Sequence, residues 1–209
     1  VQYQAPWFQH IAARCPELDL TVVYAARPSP EQQGVGFGRN VTWDQPLEDG
    51  YCARVVREDV PGAVFDSGAF RGLDVKEIGA AVIETRPDVV LIPGWHSITL
   101  VRALLACRRR GVPVLYRGDS VLETGSVGPR RVVRALRTRA ALGMFSAHLA
   151  VGKRSRAYLL HHGAPPTSIH ASPHAVDNDF FAARAAAHLT PDGRCAARAR
   201  VLLLGPGAQ

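Results

Sequence analysis

The chain has 209 residues, of which 47% are hydrophobic, and its formal net charge is +7. This composition supports a normal globular core and excludes a disordered tail, and no apolar run approaches the roughly 18 residues of a membrane-spanning helix. The four cysteines are widely spaced and form no Cys-x-x-Cys pair, so we expect reduced thiols rather than a disulfide framework or a zinc site. These features predict a cytoplasmic protein.

The positive charge has two readings. Basic residues outnumber acidic residues by 25 to 18, which could mark an anionic partner, although the heavy use of alanine and arginine equally fits a coding bias. No basic stretch is interleaved with aromatic residues, and no recognition motif accompanies the charge. We therefore expect no nucleic-acid partner.

The first half of the chain alternates apolar runs with helical patterns. A helix is predicted from about Pro6 to Ala13, and Leu20–Ala25 is apolar on both faces, as in a covered strand of a parallel sheet. The segment Pro28–Asp49 is rich in glycine and proline and predicts a long loop. Asp74 is predicted to cap a helix, with Glu77 completing a capping box.

The same alternation continues in the second half. Asp88–Ile92 predicts a strand, Ser97 caps a helix that Gly111 ends, and Val112–Tyr116 predicts the next strand. Further elements are predicted in the order helix, strand, helix and short strand over Pro129–Phe145, Ala147–Val151, Ser155–His162 and Ser168–Ala171. This order indicates an α/β fold with a Rossmann-like, doubly wound parallel sheet.

Polar residues follow the ends of four predicted strands. The motifs are Gly94-Trp-His-Ser97, Arg117-Gly-Asp-Ser120, Val151-Gly152 and Ser172-Pro-His-Ala-Val-Asp177. Ligand chemistry in open α/β sheets gathers at the carboxyl ends of the strands. The motifs therefore predict one cleft rather than four separate sites.

The motif at Gly94 offers contacts for a sugar. His96 could hydrogen-bond a hydroxyl group, Trp95 could present an apolar face to a carbohydrate ring, and the following helix begins with amide groups that favour an anion. In the alternative interpretation, Ser97 only caps the helix and Trp95 packs in the core.

The motif at Arg117 carries two opposite charges. Arg117 could bind a phosphate or carboxylate, and Asp119 could accept hydrogen bonds from substrate hydroxyl groups. The alternative is a structural ion pair between the two side chains. No histidine array suggests a metal site, and no nucleophile motif suggests a hydrolase.

Taken in order, several motifs resemble those of a known family. They are Tyr3-Gln-Ala-Pro-Trp-Phe8, Trp43-Asp-Gln-Pro-Leu-Glu-Asp-Gly-Tyr51, Arg86-Pro-Asp-Val-Val with Gly94-Trp-His-Ser97, Arg117-Gly-Asp-Ser120, Val151-Gly-Lys-Arg-Ser-Arg-Ala-Tyr158 and Pro173-His-Ala-Val-Asp177. Together they resemble the amino-terminal, acceptor-side domain of a group 1, family-four retaining glycosyltransferase of the GT-B fold.

The resemblance implies roles for individual residues. His96 and Asp119 are the implied catalytic residues, and Asp119 stands where related enzymes often place a histidine near the transferred sugar. The other implied substrate contacts are Tyr3, Gln4, Trp95, Ser97, Arg117 and Ser120. The implied partners are a nucleotide-sugar donor and a carbohydrate or lipid-linked acceptor, with no cofactor and no obligatory metal.

The resemblance also implies a division of the chain. Residues 1–178 correspond to the acceptor-binding domain, 179–199 to a linker, and 200–209 to the start of a truncated donor domain. The family's first strand, which is central in the sheet, and the remaining donor domain have no counterpart here. We therefore expect a fragment that is inactive by itself.

Two other functions and one further contact stay open. The chain could belong to a nucleotide-sugar epimerase of GT-B architecture, or it could be a non-catalytic basic α/β binding module. The helix that carries Arg130–Arg139 is the candidate for peripheral contact with the inner face of a membrane, and a solvated helix face is the alternative.

Overall fold

The computed structural model describes residues 4–34, 47–58, 60–65, 68–122, 129–186 and 193. Its strands are β1 (Thr21–Ala26), β2 (Cys52–Arg57), β3 (Val90–Ile92), β4 (Val114–Gly118), β5 (Ala147–Ala150) and β6 (Ile169–Ala171). Its helices are α1 (Ala5–Arg14), α2 (Pro30–Gly34), α3 (Ile78–Glu84), α4 (Ile98–Arg109), α5 (Pro129–Leu142), α6 (Lys153–His161) and α7 (Asn178–Ala186), and a 3₁₀ turn spans Pro166–Ser168.

All strand pairs of the described residues are parallel, which confirms the predicted α/β fold with a Rossmann-like parallel sheet. One sheet has the order β1-β2, and the other has the order β3-β4-β5-β6. In the larger sheet Leu115 lies beside Ala147, and Leu149 lies beside His170. Parallel neighbours need crossover connections, and α4, α5 and α6 supply them here.

The two sheets share one hydrophobic core. Ile78 and Val82 of α3 are buried in it beside Leu104 of α4, and Val23 and Ala25 of β1 pack against the same cluster. Among the described residues no strand pairing joins the two sheets, and β1 and β3 are each an end strand of their own sheet. The missing central strand stays a prediction.

Sequence reasoning missed one strand and misplaced one cap, and it also missed the short helix α2, which lies inside the predicted loop Pro28–Asp49. β2 was not predicted, although its side chains alternate between exposed and half-buried over much of its length. The predicted capping box is wrong, because Glu77 makes no side-chain cap and α3 begins at Ile78. Asp74 instead accepts a hydrogen bond from Arg102 Nε of α4 at 2.7 Å.

Several predictions lie outside the described residues. They concern Tyr3, the middle of the long loop at residues 35–46, and the segments 187–192 and 194–209, which include most of the predicted linker and the start of the donor domain. Helix α7 falls in the described part of the predicted linker.

Candidate functional site

The carboxyl edge of the larger sheet is held together by Arg117, at the end of β4. Its Nε donates a hydrogen bond to Ser172 Oγ, and its Nη2 donates one to the Pro173 carbonyl, both at 3.2 Å. Ser172 and Pro173 follow β6, so the guanidinium spans the end of β5 to reach them. The motifs after β4 and β6 are therefore in direct contact, while a single cleft for all four strand-end motifs stays a prediction.

Arg117 is a buried charge with neutral partners. Its exposed fraction is 6%, and its guanidinium carbon lies 4.9 Å from the ring centre of Trp7 in α1. Burial lowers the pKa of Arg117 from its usual value, while the nearby charge of Asp119 acts in the opposite direction. The ion pairs of the described residues do not include one between Arg117 and Asp119, so the structural ion pair is not formed.

Gly118 fits a tight space behind this site. A Cβ atom at that position would stand 2.1 Å from the hydroxyl oxygen of Tyr116, whose side chain is 3% exposed. The carbonyl of Gly118 accepts a hydrogen bond from the buried Ser155 Oγ at 3.0 Å, which ties β4 to the first turn of α6. Burial raises the pKa of Tyr116, and a hydrogen bond from Ser120 opposes that rise.

Trp95 packs among aromatic side chains after the end of β3. Its ring centre lies 5.2 Å from that of Tyr116 and 6.0 Å from that of Phe145, and it packs against the hydrophobic core. This contact matches the packing alternative for Trp95, although its half-buried ring still borders the strand end. Gly94 precedes it with a φ of +92°, which favours glycine and produces the sharp turn after β3.

The backbone amides at the amino end of α4 are largely hydrogen-bonded within the protein. Ser97 Oγ accepts a hydrogen bond from the Leu100 amide at 3.4 Å, so Ser97 caps the helix as predicted. The Phe70 carbonyl accepts one from the Ile98 amide at 2.8 Å. These contacts leave fewer free amides for an anion than the sequence pattern suggests. His96 is exposed beside this turn.

The amino end of α6 has a different character. It begins after Gly152, which provides no side-chain cap, and its first two residues are the exposed bases Lys153 and Arg154. Ser155 connects this turn to the Gly118 carbonyl. A basic, uncapped helix start joined in this way to the end of β4 suits a ligand with negative charge.

Three further predicted residues lie in the described part of the chain. Asp119 and Ser120 are exposed directly after β4. Gln4 stands at the start of α1, and its side chain makes no cap. Because Trp7 of the same helix contacts Arg117, Gln4 belongs to the same side of the molecule.

Sequence reasoning missed three structural partners of the site. Trp7, Ser155 and Ser172 each lie inside a motif that carried the resemblance or within the strand-end series, but none was singled out. Ser155 is 37 positions away from its partner Gly118, and Ser172 is 55 positions away from its partner Arg117. Local spacing in the sequence therefore gives no sign of either contact. A hydroxyl in a strand-end motif was the only available signal.

The described residues contain neither a candidate metal-binding group nor a candidate membrane-spanning helix. No group of three or more His, Cys, Asp or Glu side chains in the described ranges could hold a metal ion. No helix in that part of the chain is both long enough and apolar enough to cross a membrane.

The sequence was also compared with known proteins. No protein-family model matches it, and a search of curated protein sequences finds no match. The resemblance to glycosyltransferases therefore rests on the order and spacing of the motifs.

Proposed function

We propose that this chain is the acceptor-side domain of a retaining GT-B glycosyltransferase. The observation that carries the proposal is the bridge from Arg117 at the end of β4 to Ser172 and Pro173 after β6. It joins motifs that are more than 50 residues apart at the carboxyl edge of the sheet, and Trp7 of α1 contacts the same guanidinium. Ligands of open α/β sheets bind at this edge.

In the proposed reaction the acceptor hydroxyl oxygen forms a bond to the anomeric carbon of the donor sugar. The bond from that carbon to the nucleoside diphosphate breaks, and the hydroxyl proton passes to the departing diphosphate with the assistance of Asp119. His96 and Asp119 are exposed at the strand ends, where they can contact the hydroxyl groups of a sugar. Ser120 and Gln4 would orient the acceptor.

The positive groups of the site suit the other reactant. The buried Arg117 has no carboxylate partner in the described residues, and Ser155 joins the basic start of α6 to the end of β4. Fixed positive groups stabilise a departing diphosphate without a metal ion. The nucleotide sugar itself would be held mainly by a donor-side domain. Because nucleotide sugars are available in the cytoplasm, that is the proposed location of the reaction.

The test compares the complete reading frame with the 209-residue chain. Each protein is incubated with UDP-glucose, UDP-N-acetylglucosamine or GDP-mannose, and released nucleoside diphosphate is measured. We expect turnover of at least one donor by the complete protein, with retention at the anomeric carbon by NMR, and none by the chain alone. Turnover by the isolated chain, or a product epimerised at C2 without transfer, would overturn the proposal.

A further inference from the structure

Helix α5 turns its apolar face to solvent. The exposed fractions of Val132, Val133 and Leu136 are 60%, 58% and 61%. Its buried anchors are Thr138 and Leu142, with exposed fractions of 9% and 1%. At 3.6 residues per turn the two sets fall on opposite sides of the helix. A surface helix usually points its apolar stripe at the core, and α5 does the reverse.

The same helix is strongly basic. Its sequence, PRRVVRALRTRAAL, contains five arginines and no acidic residue. By helical geometry Arg137 and Arg139 border the apolar face on its two sides, and both are exposed. Neither takes part in an ion pair of the described residues, whereas Arg27, Arg54, Arg57 and Arg102 each pair with a carboxylate.

We propose that α5 lies flat on an anionic lipid bilayer. Val132, Val133 and Leu136 enter the boundary between headgroups and acyl chains, and Arg137 contacts lipid phosphates while its stem covers apolar surface. The guanidinium of Arg139 lies against Gly163 after α6 and is not needed for this contact. With 14 residues the helix is about 21 Å long, which is too short to span a bilayer but suits a helix in its surface. This inference does not depend on the proposed enzymatic function.

Charge argues against two other occupants. A second copy of the chain would bring a face of the same sign against α5, and like charges in contact disfavour association. Nucleic acid would match the charge but would leave three aliphatic side chains without a partner, since no aromatic residue of α5 is available for stacking. An anionic bilayer satisfies both the charge and the apolar face.

The test uses flotation of the 209-residue chain with vesicles. We expect binding to vesicles of phosphatidylcholine and phosphatidylglycerol, weakening as salt is raised, and little binding to phosphatidylcholine alone. Leu136→Gln should weaken binding about tenfold, because it removes apolar contact. Arg137→Gln should weaken it about fivefold, the factor expected for one arginine near an anionic surface.

Matched controls lie elsewhere on the surface. Leu18→Gln changes a leucine that is 55% exposed outside α5, and Arg108→Gln removes one exposed arginine from α4. Both should bind as the unchanged chain does. Equal binding by Leu136→Gln and Leu18→Gln, or no binding to anionic vesicles, would overturn the proposal, as would concentration-dependent dimerisation that Leu136→Gln abolishes. Val133→Gln provides a second variant if Leu136→Gln melts at a lower temperature than the unchanged chain.

Discussion

The substitution Gly118→Ala tests how the site is built. The added Cβ atom would lie 2.1 Å from the Tyr116 hydroxyl oxygen and 2.5 Å from its Cζ, both far inside van der Waals contact. Tyr116 cannot move aside freely, because its ring centre lies 5.2 Å from that of Trp95 and 5.4 Å from that of Phe145. The substitution must therefore displace either the aromatic cluster or β4.

The size of the effect follows from overpacking. One extra carbon in a well-packed interior costs about 1–3 kcal/mol, and in a chain of this size each kcal/mol lowers the Tm by about 2–4 °C. We expect Gly118→Ala to lower the Tm by roughly 2–12 °C. The Gly118 carbonyl also holds Ser155, so amide exchange in the first turn of α6 should become faster.

The Tm of each variant is measured by thermal unfolding followed by circular dichroism, and Gly143→Ala is the control. A Cβ atom at Gly143 would meet only backbone oxygens of Ala140 and Arg139, both at 3.5 Å, which is ordinary contact. Its Tm should stay close to that of the unchanged chain. If Gly118→Ala melts together with Gly143→Ala, the close approach of Tyr116 to β4 is wrong.

Three further predictions concern buried polar groups. Burial lowers the pKa of His148 below its usual 6.5, so at falling pH the unfolded chain takes up a proton before the folded chain does. The free energy of unfolding should therefore fall as the pH drops through about 6.5. In urea titrations at several pH values, His148→Gln should make that fall smaller. Cys107 is fully buried, and burial raises its pKa. N-ethylmaleimide should therefore label the exposed Cys52 in the native chain and label Cys107 only after unfolding, and equal labelling of the two thiols in the native chain would contradict this burial. Arg117→Met removes the two hydrogen bonds that the guanidinium donates to Ser172 and Pro173. The backbone amides of residues 172 and 174–177 should then exchange faster in deuterium-exchange mass spectrometry, and unchanged exchange would refute the role of these hydrogen bonds.

Most of the fold could be predicted because its signals are local. The strand at β1 and the helix at α4 follow from apolar patterns and a capping serine, and both occur within a few residues of their predicted bounds. The Asp74 cap failed because Arg102, which is 28 positions later, competes for the carboxylate. β2 was missed because its run is short and includes Arg54, a weak pattern for a strand.

The site could be predicted as a region but not as a set of contacts. The carboxyl ends of parallel strands meet at one edge in any such sheet, which is why the strand-end motifs identified it. The partners of Arg117 depend on the strand order, since Ser172 comes near it only because β6 lies next to β5. Likewise, periodicity finds the apolar stripe of α5 but does not reveal that the stripe faces solvent.

The most direct test of the proposed active-site wall is kcat/KM for sugar transfer by the complete protein carrying Asp119→Asn. Asp119 lies at the carboxyl end of β4, while the exposed Asp88 precedes β3 at the opposite edge and provides the matched control Asp88→Asn. We predict a loss of about a hundredfold or more for Asp119→Asn, as for a group that assists proton transfer, and no change for Asp88→Asn. Wild-type kcat/KM for Asp119→Asn, or an equal loss in both variants, would contradict the assignment of this edge.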